Sequence, residues 1–172
     1  RYWVKDNLSN AAHLLGHYSL KLMPMDAVSA LGAALGRFAM PRFHKVAERR
    51  ARETLRALRP DLSDAERESL LIENQKAQGR IMTEFSVVNR IARHPDRVQY
   101  HGLEIIDEAV RAGPTIIVGL HLGNWEIGPV ILQKINLSPH TFYVPPVERA
   151  KAWIAKRVRR KAGVQFLPPG FQ

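Results

Sequence analysis

Thr115-Ile-Ile-Val-Gly-Leu-His-Leu-Gly-Asn-Trp-Glu126 decides the fold of this chain, because it joins the most apolar strand-like run to a turn and then to a helix-like segment. A run such as Thr115 to Leu120 is what a strand buried on both faces needs, and strands alternating with helices build a sheet layered with helices. The turn sets a histidine and a carboxylate at the carboxyl end of that strand, where α/β enzymes keep their chemistry.

The spacing from His121 to Glu126 recurs by chance in a chain with seven histidines, so its context carries the reading. Five residues along one helix differ by about 140° of rotation, so the two side chains converge only if His121 lies outside the helix and Glu126 in its first turn. Gly123 permits the tight turn, Asn124 is a good N-cap residue, and Trp125 to Ile135 reads as a helix with Ile127, Val130, Ile131 and Ile135 on its apolar positions. A neutral imidazole accepts a proton from an alcohol near neutral pH, and a carboxylate on its other nitrogen fixes the tautomer. His121 is therefore the candidate general base and Glu126 its orienter. Backbone N–H groups around Gly123 and Asn124, at the positive end of the helix, suit an oxyanion or a phosphate. The competing reading is structural: a glutamate in a first helical turn is favoured by the helix dipole alone.

Around this centre the chain divides into two halves. From Asn10 to about His94 the periodicity is helical, with breaks at Pro24, Pro41 and Pro60 and a capping box, Ser63-x-x-Glu66, opening a further helix. From Arg97 onward, candidate strands Val98 to Tyr100, Thr115 to Leu120, Thr141 to Val144 and Val164 to Phe166 alternate with helices Leu103 to Ala112, Trp125 to Ile135 and Val147 to Ala162. The expectation is an α/β fold with a mixed sheet and flanking helices, preceded by an N-terminal helical arm. No repeat or linker divides it, so residues 1–172 are read as one domain, with a helical part over about 10–94 and an α/β part over about 95–172.

Twenty-six basic residues against sixteen acidic ones give a net charge of +10, which points to an anionic partner. One basic cluster runs from Arg42 to Arg59. A second, between Lys151 and Lys161, has six basic residues and no acid. It directly follows the strand after the turn, so Arg149, Arg157, Arg159 and Arg160 are candidates for holding phosphate groups. The chain has no cysteine, which excludes disulfides and thiolate nucleophiles. No His-Glu-x-x-His motif, serine-hydrolase elbow, phosphate loop or dinucleotide fingerprint occurs, so no metal and no bound cofactor are expected. No segment is apolar enough to span a bilayer, and none reads as a signal peptide. Residues 8–40 read either as an interfacial segment or as a helical hairpin buried around Pro24.

Gly119-Leu-His-Leu-Gly-Asn-Trp-Glu126 resembles the histidine and acid block of the bacterial lipid A biosynthesis acyltransferases, the late acyltransferases that add secondary acyl chains. Val98-Gln-Tyr-His-Gly-Leu-Glu104, with Ala109 and Gly113-Pro114, is similar to the family's strand, turn and helix leading into that block. Gly79-Arg-Ile-Met-Thr-Glu84 resembles a helical segment carrying a family glutamate. The similarity covers most of residues 20–172. It implies a glycerolipid-acyltransferase-like sandwich at the cytoplasmic face of the bacterial inner membrane. It implies acyl transfer from an acyl carrier protein or coenzyme A thioester to a hydroxyl of a lipid A precursor or related glycolipid, with His121 as base and Glu126 as its partner. Anionic membrane surface is then a partner and nucleic acid is not.

There are departures from the family's pattern. Tyr143-Val144-Pro145 stands where the family commonly has Tyr-Arg-Pro, so an anion-binding arginine is missing there. The chain begins on Arg1 and ends on Pro168-Pro-Gly-Phe-Gln172 without a closing element, so a fragment truncated at the C-terminus is expected, with the family's later aspartate segment beyond it. The alternative from another class is a basic, non-enzymatic module that binds nucleic acid or an anionic membrane surface. Such a module has no use for the His121 turn, and its cations come with exposed aromatics for base stacking. The basic helices here carry mainly aliphatic partners, with Trp153 the exception, which favours the enzyme.

Overall fold

A computed structural model of the chain describes residues 2–167; the terminal stretch from Pro168 lies outside the described residues. Among the described residues there are eight helices and one two-stranded parallel sheet, and the chain divides into two compact units.

The unit formed by residues 23–84 is helical: α2 (Met25–Phe43), α3 (Lys45–Leu58) and α4 (Asp64–Glu84). Helices α2 and α4 meet backbone to backbone. Gly32 and Gly36 lie one turn apart on one face of α2, and Gly79 faces them from α4. A Cβ on Gly79 would sit 2.7 Å from the Gly36 Cα, and one on Gly36 would sit 2.8 Å from the Gly79 Cα, so only glycine fits. Thr83 Oγ1 adds a hydrogen bond to the Val28 carbonyl at 3.0 Å. Gln75, only 1% exposed, donates to Glu48 at 2.9 Å and accepts from Arg37 at 3.2 Å, so its amide is satisfied inside the unit. The capping box opens α4 as the sequence predicts: Glu66 accepts from the Ser63 N–H at 2.8 Å while Ser63 Oγ accepts from the Glu66 N–H at 3.3 Å. Several cations of the first basic cluster have acids: Arg52 bridges Glu48 and Glu68, Arg59 pairs with Asp61, and Arg49 with Glu53. Much of that cluster is therefore a self-neutralised helix surface.

The other unit joins residues 2–22 to residues 85–167. It contains α1 (Tyr2–Leu22), the short α5 (Val88–Ile91), α6 (Leu103–Ala112), α7 (Ile127–Leu132), β1 (His140–Phe142), α8 (Arg149–Lys161) and β2 (Gln165–Leu167). β1 and β2 pair in parallel, His140 opposite Gln165 and Phe142 opposite Leu167, with α8 as the crossover helix. One cluster of its core is Ala92, Val130, Ala162 and Val164; another is Val88, Ile154 and Val158, against which Leu14 of α1 and Ile127 pack. Of the apolar positions Val147, Ala150, Ile154 and Val158 that the sequence offers for α8, the last three form its buried side, whereas Val147 precedes the helix and is 97% exposed.

Two expected strands are not strands. Residues 98–100 and 115–120 have no regular secondary structure and pair with no strand among the described residues, so the sheet there has two strands in place of four. The apolar run is exposed, Ile116 at 90% and Val118 at 88%. A strand exists through its neighbours, and β propensity without a partner ladder does not make one. The helix expected from Trp125 also starts later, at Ile127, and ends at Leu132 in a single 3-10 turn, Gln133–Ile135. Pro129 explains the delay. It has no N–H for the Trp125 carbonyl, which instead accepts from Gly128 at 3.2 Å, so the helix is entered through a tight turn. Glu126, and not Asn124, is the N-cap residue of α7.

Candidate active site

The turn after residues 115–120 is built as its sequence dictates. Gly123 has φ +55°, a left-handed conformation that glycine adopts without strain, and the chain then closes with the Ile127 N–H on the Asn124 carbonyl at 3.1 Å. This swings Glu126 inward, where it is 8% exposed, while His121, Leu122 and Gly123 stay outside.

Buried carboxylates need partners, and that of Glu126 is Arg159 from α8. Arg159 Nε donates to Glu126 Oε2 at 3.0 Å and Nη2 donates to Oε1, a two-pronged pair using both carboxylate oxygens. Its hydrogen bonds to Glu126 make the Arg159 guanidinium hold its proton more tightly than usual, against the opposing effect of burial. The guanidinium also lies 5.3 Å from the Tyr143 ring centroid and 5.8 Å from that of Phe85. Tyr143 in turn stacks on Phe166 of β2 at 4.7 Å. The pair thus ties together the turn, the residue after β1, and α8.

His121 is exposed, and its ring lies 4.7 Å from that of Trp125, inclined at 52°. No hydrogen bond joins it to Glu126 among the described residues; the glutamate is turned to Arg159. Gly123 and Asn124 lie in the turn between them. Of the four arginines proposed on α8, Arg159 alone reaches this turn. Arg149 donates to Asn7 of α1 at 2.9 Å, and its ten-residue separation from Arg159 corresponds to about 15 Å of helix. Arg157 rests over the Trp153 ring at 5.3 Å, and Arg160 is exposed. Sequence reading missed the pairing of Arg159 with Glu126 and the aromatic pair that flanks it. The cation beside the Tyr143 ring is Arg159, arriving from α8.

A family model described as bacterial lipid A biosynthesis acyltransferase matches residues 6–171, nearly the whole chain. The chain belongs to the bacterial lipid A biosynthesis acyltransferase family. Comparison with curated proteins and with solved structures gave no match. Membership makes the chain a bacterial transferase of lipid A and lipopolysaccharide biosynthesis, acting on an acyl donor and a lipid acceptor. In this acyltransferase, no helix among the described residues is long and apolar enough to cross a membrane, and no group of three metal-binding side chains occurs among them.

Proposed function

We propose that this acyltransferase carries a fatty acyl chain from a thioester, on acyl carrier protein or coenzyme A, to a hydroxyl of a lipid A precursor or related glycolipid, with His121 as general base. The observation that carries this reading is the contrast within one turn: an exposed imidazole next to a carboxylate that is buried and pinned. A base must reach substrate, whereas the group that orients it must not move.

In the proposed reaction a ring nitrogen of His121 takes the proton of the acceptor hydroxyl as its oxygen attacks the thioester carbonyl carbon. The tetrahedral oxyanion is stabilised by N–H groups at Gly123 and Asn124. Its collapse breaks the carbon–sulfur bond, and the departing thiolate takes the proton from the imidazolium. Glu126 keeps a lone pair free on each oxygen beyond those facing Arg159, so it can accept from the second ring nitrogen once the imidazole turns from Trp125. Arg149 and Arg160 then serve phosphate groups of donor or acceptor, and no metal or bound cofactor takes part.

The same reading assigns residues 1–172 to one acyltransferase domain working at the cytoplasmic face of the inner membrane. It takes the fold to be a glycerolipid-acyltransferase-like sandwich. The test is mass spectrometry of lipids from cells carrying the full-length protein or its His121→Ala variant. Loss of one acyl group from a glycolipid in the variant supports the proposal, and an unchanged lipid profile overturns it.

A further inference from the structure

Helices α1 and α8 lie side by side and run in the same direction. Asn7 accepts from Arg149 and Asn10 accepts from the Ala150 N–H, both at 2.9 Å, and Leu14 packs on the cluster holding Ile154 and Val158. Equal rise per residue carries this register forward. It brings His17 beside Arg157 and Lys21 beside Lys161, so both helices end together.

The charge at that end is uncompensated. Lys21, Arg157 and Lys161 form no ion pair with an acid among the described residues, whereas the opposite end of α8 has Lys151 on Glu148 at 2.8 Å. Among the described residues none of the three donates to a helix carbonyl either. The Lys21 carbonyl already accepts from Arg90 at 3.0 Å, and that of Lys161 accepts from Arg93 and Gln133, each at 3.4 Å. Repulsion from Lys161 and Arg157 adds to burial in holding the Lys21 ammonium below its ordinary range. Against this cluster lies His17, 4% exposed. Its Nδ1 is 2.8 Å from Ser86 Oγ, and its Nε2 is buried with no hydrogen-bond partner. A buried ring nitrogen without a hydrogen-bond partner next to converging cations has the chemistry to hold an anion.

We propose that the joined carboxyl-terminal ends of α1 and α8 form a binding site for a phosphate monoester, held by Lys21, Arg157 and Lys161 against the buried imidazole of His17. Three cations match a dianion, and the ligand supplies the acceptor that a neutral Nε2–H lacks. The site is separate from the turn. Arg157 and Arg159 are two residues apart, about 200° around the helix, so one serves α1 while the other serves Glu126. The inference goes beyond the acyl-transfer reading and does not rest on it.

The experiment titrates inorganic phosphate into the full chain, followed by calorimetry and by the ring resonances of His17. The expected result is saturable binding that shifts those resonances and weakens roughly tenfold in Lys21→Gln and in Arg157→Gln, but not in Lys156→Gln elsewhere on α8. A second arm uses phosphatidylcholine vesicles with and without phosphatidic acid. Vesicle binding that needs phosphatidic acid and is displaced by phosphate assigns a lipid headgroup, phosphate binding alone assigns a free ester, and either supports the site. No saturable binding, or equal losses in all three variants, would overturn it. His121→Ala is expected to bind phosphate normally, so a failure of acyl transfer and a failure of this site are read separately.

Discussion

Arg159 grips Glu126 through both carboxylate oxygens, with the aromatic rings of Tyr143 and Phe85 beside the guanidinium. The glutamate is nearly buried, so the pair is less a source of net stability than a constraint: its two charges are tolerable together and costly apart. What it fixes is the entry to α7, and with it the turn that carries His121.

Removing one partner is therefore expected to do more harm than removing both charges. Arg159→Gln leaves an unpaired buried carboxylate and should lower unfolding stability by about 3 kcal/mol. Adding Glu126→Gln should recover part of that loss, because two neutral amides can hydrogen-bond where the ions did. Urea denaturation of the two variants checks this, and a double variant less stable than Arg159→Gln contradicts it.

For His121→Ala the expectation is the reverse, an effect on rate with almost none on folding. The ring is exposed and touches Trp125 alone among the contacts described, so its loss should shift stability by less than about 0.5 kcal/mol. A lost general base costs roughly 10²–10⁴ in kcat. Turnover of the full-length variant within a few-fold of the parent would remove His121 from the mechanism.

The sequence was legible where structure depends on neighbours in the chain. Ser63 and Glu66 cap each other across three residues, and the left-handed turn at Gly123 follows from the residue itself. The Thr141 to Val144 and Val164 to Phe166 runs lie within a residue or two of β1 and β2. It was illegible where a distant partner decides. Thr115 to Leu120 has every side chain a buried strand needs, yet strand formation depends on a ladder from elsewhere in the chain. Arg159 is one of several arginines on α8, and only the helical phase set by the buried Ile154 and Val158 turns it, and not Arg157, to Glu126.

The backbone contact between α2 and α4 gives a prediction for the unit of residues 23–84. In Gly36→Ala the new methyl would meet the Gly79 Cα at 2.8 Å, and backbone cannot swing aside as a side-chain tip does. The helices must separate, at a cost of about 1–3 kcal/mol or more. Gly16→Ala, with nothing near its Cβ, is the matched control and should be neutral or slightly stabilising through helix propensity. Equal thermal midpoints for the two variants would contradict the close approach.

His17 provides the pH dependence. Burial first, then the charges of Lys21 and Arg157, push its imidazole down from the usual 6.5 to about 4. The unfolded chain therefore takes up a proton on this ring below about pH 6.5, while the folded chain stays neutral there until about pH 4. Stability is fully present above the upper value, falls as pH drops through the window, and stops falling from this cause below the lower one. At about 1.4 kcal/mol per unit, the loss across the window is up to about 3 kcal/mol. Carboxylates held low by partners, such as Glu66 by Ser63 and Glu68 by Arg52, lose their contribution only as pH falls below the usual carboxylate range, so the upper half of the window belongs to histidine. His17→Asn keeps a polar group for Ser86 and removes the titration. Its denaturation midpoint should be flatter than the parent's between pH 6.5 and pH 5, in line with the downward shift at His17. Parallel curves in that interval would mean that His17 is protonated in the folded protein, and the neutral buried imidazole assigned here would be wrong.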